Sequence, residues 1–564
     1  MQNLAPKVIM MKTKLFPFAL LLLSQGVFAQ QLPNAGTQIR QIPVIPTPPK
    51  EIPKIEVEPR GAPAVPDASS VKLLVKSLRV TGAQVYSEES LLALTGFTAG
   101  SELTLTELRG MAEKIGIHYR SNGYFLAQAY LPAQDIKDGA VTIAVIEGRY
   151  GKVAVNNQTN LSDGLAKNYM SGLNEGDLIQ AAPLENRLLL LSDLPGVNVS
   201  STLLPGAAPG TSDLLVGLTP GQRVTGEIDY DNAGNRYTGE HRLGGTININ
   251  NPLGLGDVAS LRGVTTGPGL HYARASYQLH LGKATAGIAY SALEYKLGEE
   301  YEPLGAHGTA KIASIFGSYP VLRSRNNNFG VGLLYEDKTF KDEVDLYSAV
   351  TDKDVNVLTA SLYGEHRDRV GGGGLTTYSL AWSGGKVDIR TPAALLIDQA
   401  TAKSNGYYNK LGFRAMRLQR LSDSFSLYAA INGQVASKNL DSSEKMELGG
   451  MYAVRGYPEG EAYGDEGAVL NLELRYLLPK VSQNMPGQMH LIGFVDAGTI
   501  TTHKDPWAPG SNTRNLSAAG LGFSWWANND FLARAYYAWK LGDEEAISAP
   551  DKSGRFWVQL VKYF

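Results

Sequence analysis

Residues 221–564 alternate apolar and polar side chains with a period of two, and this pattern constrains the fold more than any other feature of the chain. In residues 271–281, Ala273, Ala275 and Tyr277 share one face, whereas Arg274 lies on the other. Successive side chains of a β-strand point to opposite faces, so the pattern predicts strands with one apolar and one polar face. Sixteen such segments begin near residues 224, 241, 257, 271, 284, 309, 328, 355, 374, 407, 424, 468, 489, 515, 530 and 555.

An even number of two-faced strands, each about ten residues long, is typical of a transmembrane β-barrel. Lipid cannot satisfy an unpaired strand edge, so such a sheet must close. A soluble β-sandwich or propeller is the alternative, but four charged residues on the polar faces argue against it: Arg242, Arg274, Glu473 and Arg475. We therefore predict a 16-stranded antiparallel transmembrane barrel over residues 221–564, with its polar face toward the lumen.

The N-terminus has the features of an export signal. Lys12 and Lys14 precede an apolar run over residues 15–23, and Ala29 follows at a position that a signal peptidase reads. The run is too short for a membrane-anchoring helix, which needs about 20 apolar residues. We therefore expect a signal peptide over residues 1–29. Together with the barrel pattern, this signal predicts a protein of the outer membrane of a Gram-negative bacterium.

A Pro-rich segment over residues 30–70 follows the export signal. Its composition predicts an extended, semi-rigid linker, because proline restricts the backbone and removes hydrogen-bond donors. Only residues 34–42 can form a short helix, since Pro43 would end it.

Two small α+β domains are predicted between the linker and the barrel. In the first, residues 71–148, a capping box of Thr104 and Glu107 begins an amphipathic helix. Its strands are predicted over residues 71–80, 125–131 and 141–147. The second, residues 149–220, has strands over residues 152–155, 197–203 and 213–218 and a helix lined by Leu184, Leu188 and Leu191. The similar order of elements indicates an internal repeat of architecture.

One long loop and one strand contain the candidate functional residues. The loop, about residues 436–467, is rich in Gly and aromatic residues and contains Val454, Arg455, Gly456 and Tyr457. The strand contains Phe494, Asp496 and Gly498. Alternation directs Asp496 into the lumen, where a charge-assisted hydrogen bond to Arg455 would anchor the loop inside the barrel. A surface turn beside a solvated Asp496 is the alternative, and these residues alone leave both open.

The loop and strand resemble the paired lid-loop and strand motifs of the BamA-type outer-membrane superfamily. Two further segments resemble the TpsB transporters of two-partner secretion, the group of FhaC, ShlB and HecB. Residues 131–136 with 145–148 resemble the end of their first POTRA domain, and residues 229–234 with 251–257 resemble their opening barrel hairpin. The resemblance covers essentially all of the mature chain. It implies two periplasmic POTRA domains, over residues 71–148 and 149–220, followed by a 16-stranded barrel.

In that family the POTRA domains capture an unfolded TpsA exoprotein, and the barrel passes it outward without ATP. The resemblance implies the same function here, with a large secreted adhesin, haemolysin, toxin or haem-acquisition protein as the client. Client-binding residues would lie in the POTRA domains, and the lid loop would be held by a bond between Arg455 and Asp496. Charge reversal at both positions would then restore function that either single reversal removes.

The resemblance also implies other partners, and one segment of this sequence departs from the family pattern. Outer-membrane lipid and the barrel assembly machinery, which would insert this chain, are the other expected partners, and the chain is expected to act as a monomer. Family members often have an N-terminal helix that plugs the barrel. Residues 34–42 are short for this purpose, so a plug is not expected.

Other functional classes have less support. Lys plus Arg total 52 and Asp plus Glu total 54, so no nucleic-acid partner is indicated. Cysteine is absent, and the sequence contains no Gly-x-Ser-x-Gly, P-loop or His-Glu-x-x-His motif. We therefore expect no enzymatic activity, catalytic residue, cofactor or metal site. The alternatives are an assembly factor of the same superfamily, a passive porin and an adhesin. Assembly factors usually have three or more POTRA domains, and porins lack both these domains and the Arg455 loop.

Overall fold

The computed structural model describes residues 32–46, 48, 53–58 and 71–564. The expected signal peptide, residues 1–29, and parts of the linker lie outside the described residues. None of the helices in the described ranges is both long and apolar enough to cross a membrane.

The first α+β domain packs its longest helix against a three-stranded sheet. The described chain begins with α1 (Ala35–Arg40) and β1 (Ile55–Val57), and this domain then contains β2 (Lys72–Val75), β3 (Ser77–Thr81), α2 (Glu88–Thr95), β4 (Ser101–Thr104), α3 (Leu105–Ser121), β5 (Gln128–Tyr130) and β6 (Ala140–Ile146). The sheet order is β3-β6-β5, with β2 and β4 paired separately. The capping box is present, because Thr104 Oγ1 accepts from Glu107 N and Glu107 Oε2 accepts from Thr104 N. Leu108 and Ile115 of α3 are fully buried against this sheet.

The single strand predicted over residues 71–80 is two strands. Both Lys76 N and Ser77 N donate to Gly139 O, and the chain changes partners there from β4 to β6. The prediction of two helices in each domain gave no bounds for α2, and it missed β4, whose short length gives weak periodicity.

The second α+β domain includes a strand contributed by the linker. It contains β7 (Arg149–Asn157), α4 (Asp163–Tyr169), α5 (Ala181–Ser192), β8 (Val197–Pro205) and β9 (Thr211–Pro220). The sheet order is β1-β8-β9-β7, and β1 pairs with β8 in parallel. Leu184, Leu188 and Leu191 of α5 are buried in its core, as their spacing indicates.

The remaining chain forms a closed antiparallel barrel of sixteen strands, which confirms the predicted fold class. The strands and the elements between them are β10 (Val224–Asp231), β11 (Arg242–Asn250), β12 (Val258–Thr265), β13 (Leu270–Leu281), β14 (Ala284–Lys296), β15 (Ala306–Arg323), β16 (Asn327–Val344), β17 (Ala349–Asp368), β18 (Gly374–Ile389), α6 (Pro392–Ala400), β19 (Gly406–Arg420), β20 (Phe425–Ala436), the short hairpin of β21 (Met446–Glu447) and β22 (Tyr463–Gly464), β23 (Glu466–Leu477), β24 (Gln488–Thr501), β25 (Thr513–Ala527), β26 (Phe531–Leu541) and β27 (Gly554–Tyr563). Closure occurs where β10 pairs with β27. Side chains alternate as predicted: Leu333 is 60% exposed on the outer face, whereas Phe340 is fully buried toward the lumen.

A structured turn joins the second α+β domain to the barrel. In the turn between β11 and β12, the Asp257 carboxylate accepts hydrogen bonds from the backbone N–H groups of Leu253 and Leu255. Asn160 of the α+β domain and Asn251 of this turn exchange hydrogen bonds of 2.6 and 2.8 Å. This explains why residues 251–257 form a recognisable motif: they shape the surface on which the domain docks.

The helix α1 lies inside the barrel lumen, so the expectation that this segment is too short for a plug is wrong. Ala35 is fully buried, and its backbone N donates to Asp342 Oδ1 on the wall at 2.8 Å. Thr238 Oγ1 donates to Gln38 Oε1 at 2.8 Å, and Arg242 donates to Gln41 O. The Asn34 side chain caps the first turn, and the wall residues Asp342 and Arg242 satisfy backbone groups at the two ends of this short helix. We call α1 the plug helix.

Candidate functional site

The loop between β20 and β23, residues 437–465, folds back into the lumen instead of extending outward; we call it the lid loop. Most of its residues are buried, and Leu448 N donates to Ala462 O within the short hairpin at its centre. Gly450 has a φ of 98°, which L side chains rarely adopt, and an added Cβ would lie 1.9 Å from Glu459 Oε2. The tight interior of the loop therefore depends on glycine at this turn.

Arg455 anchors the lid loop to two neighbouring strands. Its Nε donates to Asp496 Oδ2 at 2.8 Å and its Nη2 donates to Asp496 Oδ1 at 2.7 Å, a bidentate pair on β24. Its Nη1 donates to Glu473 Oε1 of β23 at 2.8 Å. The side chain of Asp496 is fully buried and that of Arg455 nearly so. Arg455 therefore pairs with two buried carboxylates, and Glu473 is shared with Arg475, whose Nη2 lies 2.7 Å from Glu473 Oε2.

Aromatic rings and backbone contacts fix the position of this guanidinium. Its carbon lies 3.5 Å from the centre of the Phe494 ring and 4.9 Å from that of Tyr536. Trp557 Nε1 donates to the backbone O of Arg455 at 2.7 Å. The sequence indicated Phe494 but missed Trp557 and Tyr536, although alternation places both on the lumen face.

The other predicted motif residues also lie at this contact. Val454 and Tyr457 are fully buried, and the Tyr457 hydroxyl donates to Glu544 O at 3.1 Å. A Cβ on Gly456 would lie 2.8 Å from Ala518 Cβ, and a Cβ on Gly498 would lie 2.4 Å from Leu448 Cδ1. Glycine at these positions lets the loop approach the wall closely.

A second set of ion pairs, which sequence analysis missed, holds the start of the lid loop. Asp441 Oδ2 lies 2.7 Å from Lys353 Nζ. Glu444 Oε1 lies 2.9 Å from Lys338 Nζ, and its Oε2 lies 2.8 Å from Lys410 Nζ. Alternation places the three lysines in the lumen, and that is the signal that could have revealed them. The loop is thus held at several separate places on the wall, which include a buried ion pair of 2.7 Å between its Glu461 and Arg514 of β25.

The plug helix and the lid loop also contact each other. Ser442 Oγ of the loop donates to Asn34 Oδ1 at 2.9 Å, and Arg40 Nη1 donates to Ser443 O at 3.2 Å. Gln41 Nε2 donates to the Tyr463 hydroxyl at 2.6 Å. Two segments of the chain therefore occupy the lumen together, and polar contacts join them to each other.

Comparisons with known proteins agree with this architecture. The family described as haemolysin secretion/activation protein ShlB/FhaC/HecB matches residues 210–525, and the ShlB-type POTRA domain matches residues 73–148. The heme/hemopexin transporter protein HuxB of Haemophilus influenzae (strain 86-028NP) is 28% identical over 477 residues, which are 82% of each chain. The outer membrane transporter CdiB of Dickeya dadantii (strain 3937) is 23% identical over 445 residues, 76% of each chain.

Solved structures show the same fold. CdiB from Escherichia coli superposes with a TM-score of 0.66 at 19% identity, over 90% of this chain and 92% of that one. BamA from Haemophilus ducreyi lacking POTRA domains 1–3 gives a TM-score of 0.54 at 16% identity, over 87% of this chain and 100% of that one. The family match covers more than half of the chain. This chain therefore belongs to the ShlB/FhaC/HecB family of haemolysin secretion/activation proteins, the outer-membrane transporters of two-partner secretion.

Proposed function

We propose that this chain captures an unfolded TpsA-type exoprotein with its two α+β domains on the periplasmic side and passes it outward through the barrel without ATP. The observation that supports this most directly is a closed barrel of sixteen strands whose lumen is occupied by two segments of its own chain, the plug helix and the lid loop. A passive porin needs neither segment. Folding of the client outside the cell would make its retreat costly and give the transit its direction.

The strand edges of the α+β domains are the proposed capture sites. Among the described residues, β5 pairs only with β6, so its other edge can accept an extended client strand. The corresponding edge of the second domain, on β8, is occupied by β1 of the linker, with Ile55 opposite Ser201 and Val57 opposite Leu203. A client strand that replaces β1 would pull on the linker, which leads directly to the plug helix. Capture and unplugging would then be coupled through the chain.

The chemistry of the client follows from the relatives only by analogy. HuxB is named as a heme/hemopexin transporter, so a haem-acquisition exoprotein is the first client class to test. Adhesins, haemolysins and toxins are the other classes. Outer-membrane lipid and the barrel assembly machinery complete the proposed set of partners, and Arg455 with Asp496 is proposed to hold the lid loop in the resting state.

Deletion of residues 71–220 in frame tests this function. Secreted and outer-membrane proteins of the mutant are compared with those of wild type, after immunoblotting has shown equal amounts of barrel. Loss of one very large secreted protein, with other outer-membrane proteins unchanged, supports the proposal and identifies the client. A joint loss of many barrels would instead indicate an assembly factor. An unchanged set of secreted proteins would overturn the proposal.

A further inference from the structure

Three lysines from three barrel strands form one buried cationic site in the lumen, which we call the lysine pocket. Lys338 lies on β16, Lys353 on β17 and Lys410 on β19. Their side chains are 12%, 7% and 13% exposed. Lysine is rarely buried to this degree without a partner, because taking an ammonium group out of water is costly.

The partners come from a single turn of the lid loop, the 3-10 turn Ser442–Glu444 with Asp441 before it. Glu444 lies between Lys338 and Lys410, with one carboxylate oxygen on each. Asp441 pairs with Lys353, and Lys353 Nζ also donates to Ser442 Oγ at 3.2 Å. Lys410 Nζ further donates to Glu444 O at 3.0 Å. The turn therefore fits the pocket as a ligand fits a site, with two carboxylates three residues apart.

Departure of the lid loop would remove the two carboxylates of the turn from this site, and Lys353 would keep only the electrostatic interaction with wall carboxylates such as Asp342. Lys338 would keep Glu336 at 3.0 Å. Among the described residues, Glu444 is the one acidic side chain that forms an ion pair with Lys410. Water would reach the lysines once the loop has left, but their positive charges would still repel one another, as Lys338 already acts on Lys410. A cluster of like charges favours a replacement anion. An open lumen with no added anion in the lysine pocket is therefore unfavourable in free energy. We expect an anionic group to occupy the pocket in the open state.

The plug helix depends on the same turn. Asn34 accepts from Ser442, Arg40 donates to Ser443, and a Cβ on Gly36 would lie 2.8 Å from Ser442 Oγ. Release of the turn would remove these contacts from the helix. A competing anion that displaces the whole turn from the lysine pocket would thus loosen the lid loop and the plug helix together.

We propose that the lysine pocket is a carboxylate-binding site in the pore, occupied at rest by Asp441 and Glu444 and, during transport, by an acidic segment of the client. The occupant is a peptide, because the pocket faces the lumen and the client's path runs through the lumen. The client part of this inference rests on the proposed function, whereas the carboxylate site itself does not.

Chemical rescue tests the carboxylate site without any client. The full chain is placed in a planar bilayer and its resting conductance is recorded. Glu444→Ala should conduct more than wild type, and acetate should lower that conductance whereas equimolar acetamide should not. Glu444→Gln, which preserves volume, replaces Glu444→Ala if the latter misfolds, and in the same electrolyte without acetate it should conduct more than wild type. Glu343→Ala, on the outer surface, is the matched control. The proposed carboxylate-binding site would be wrong if acetate and acetamide had equal effects. It would also be wrong if both Glu444 variants had the conductance of wild type.

Peptide competition tests the acidic segment. The peptide Leu-Asp-Ser-Ser-Glu-Lys, which repeats residues 440–445, is added on the periplasmic side of wild-type channels, and Leu-Asn-Ser-Ser-Gln-Lys is the neutral control. The acidic peptide should raise the open probability about 5-fold or more, the lower end of ordinary coupling between two sites. Lys410→Gln should abolish the difference between the peptides, and Lys386→Gln on the outer surface should not. Equal action of both peptides on wild type would overturn this part.

The two failures are distinguishable. If acetate rescue holds but no exoprotein depends on residues 71–220, the carboxylate site stands and the proposed function fails. If one exoprotein depends on those residues but neither acetate nor peptide charge matters, the lysine-pocket inference alone fails.

Discussion

Arg323, at the periplasmic end of β15, donates two hydrogen bonds of 2.8 Å to the carboxylate of Asp193 at the end of α5. The contact joins the wall of the barrel to the second α+β domain across 130 residues of sequence. Because a guanidinium and a carboxylate pair in one plane, the contact restricts the angle of the domain as well as its distance. The second α+β domain is thereby held in a fixed relation to the pore.

Arg323→Ala should loosen this joint while leaving the barrel closed. The pair is partly exposed, so its contribution is only about 1 kcal/mol. Amide hydrogen exchange in α5 of the full chain should accelerate by a few-fold, and the heat resistance of the barrel should be unchanged. Arg367→Ala, a periplasmic-end arginine without a contact to α5 among the described residues, is the control. Unchanged exchange in α5 would show that other contacts hold the domain.

Arg455→Ala should raise the resting conductance of the pore and reduce secretion. Removal of the guanidinium leaves Asp496 buried without a cation, at a cost of about 3–5 kcal/mol to the closed loop, whereas Glu473 keeps Arg475 at 2.7 Å. Arg455→Lys should be intermediate, because one ammonium group cannot reproduce the bidentate contact together with the bond to Glu473. Normal export by Arg455→Ala would disprove the role of this residue.

Charge reversal at positions 455 and 496 should fail to restore function, contrary to the expectation from sequence. The two residues are not an isolated pair, because Arg455 also pairs with Glu473 at 2.8 Å. In the reversed variant a carboxylate at position 455 would face Glu473, and the backbone N of residue 455 would lose Asp496 as its acceptor. Secretion by the double variant at the wild-type level would show that Glu473 contributes little.

Gly36→Ala should prevent the plug helix from seating. The added Cβ would lie 2.8 Å from Ser442 Oγ and 2.9 Å from the backbone N of Ser443, and the latter cannot move independently of the loop. Gly110→Ala is a matched control in α3, since a Cβ there meets nothing within 4 Å. We expect Gly36→Ala to have a higher resting conductance than wild type. Gly110→Ala should have the same resting conductance as wild type. Equal conductances would mean that the lumen accommodates the methyl group.

A disulfide between positions 56 and 202 should block secretion reversibly. Glu56 and Thr202 are opposite each other in the parallel pairing of β1 with β8, within the spacing that a disulfide spans. The chain contains no native cysteine, so Glu56→Cys with Thr202→Cys introduces one defined cross-link. Oxidation should stop export and a reductant should restore it. Glu56→Cys alone is the control, and export by the oxidised double variant would show that β1 remains in place during transport.

Acid should stabilise the closed lid loop. Burial raises the pKa of Glu447 from 4.5 to about 7, although Arg40 and Arg242 nearby oppose this, and burial next to Glu447 raises the pKa of Glu459 as well. The closed state then binds more protons than a solvated loop. Its stability is full below about pH 4.5 and declines as pH rises through about 7. Open probability should therefore increase from pH 5 to pH 8, and Glu447→Gln should flatten this dependence. A pH-independent wild type would contradict the assignment.

The sequence by itself determined the barrel and its strand count. A strand places alternate residues in lipid and lumen, and lipid tolerates neither a charge such as Arg274 on the outer face nor an open edge. The period-two pattern is therefore a direct consequence of the environment. It can be recognised in the sequence without any knowledge of tertiary contacts. The capping box at Thr104 and the leucine face of α5 could also be recognised from the sequence, because both are local patterns of residues three or four positions apart.

Only the tertiary structure decided what fills the lumen. The plug helix is too short for its own propensity to indicate a role, and its stability comes from wall residues such as Asp342 and Thr238, more than 190 positions away. Lys410 and Glu444 are likewise joined only by the closure of the barrel and the inward fold of the loop. The local sequence pattern indicates the environment that each residue faces. The pairing between distant residues depends on how the closed barrel brings them together.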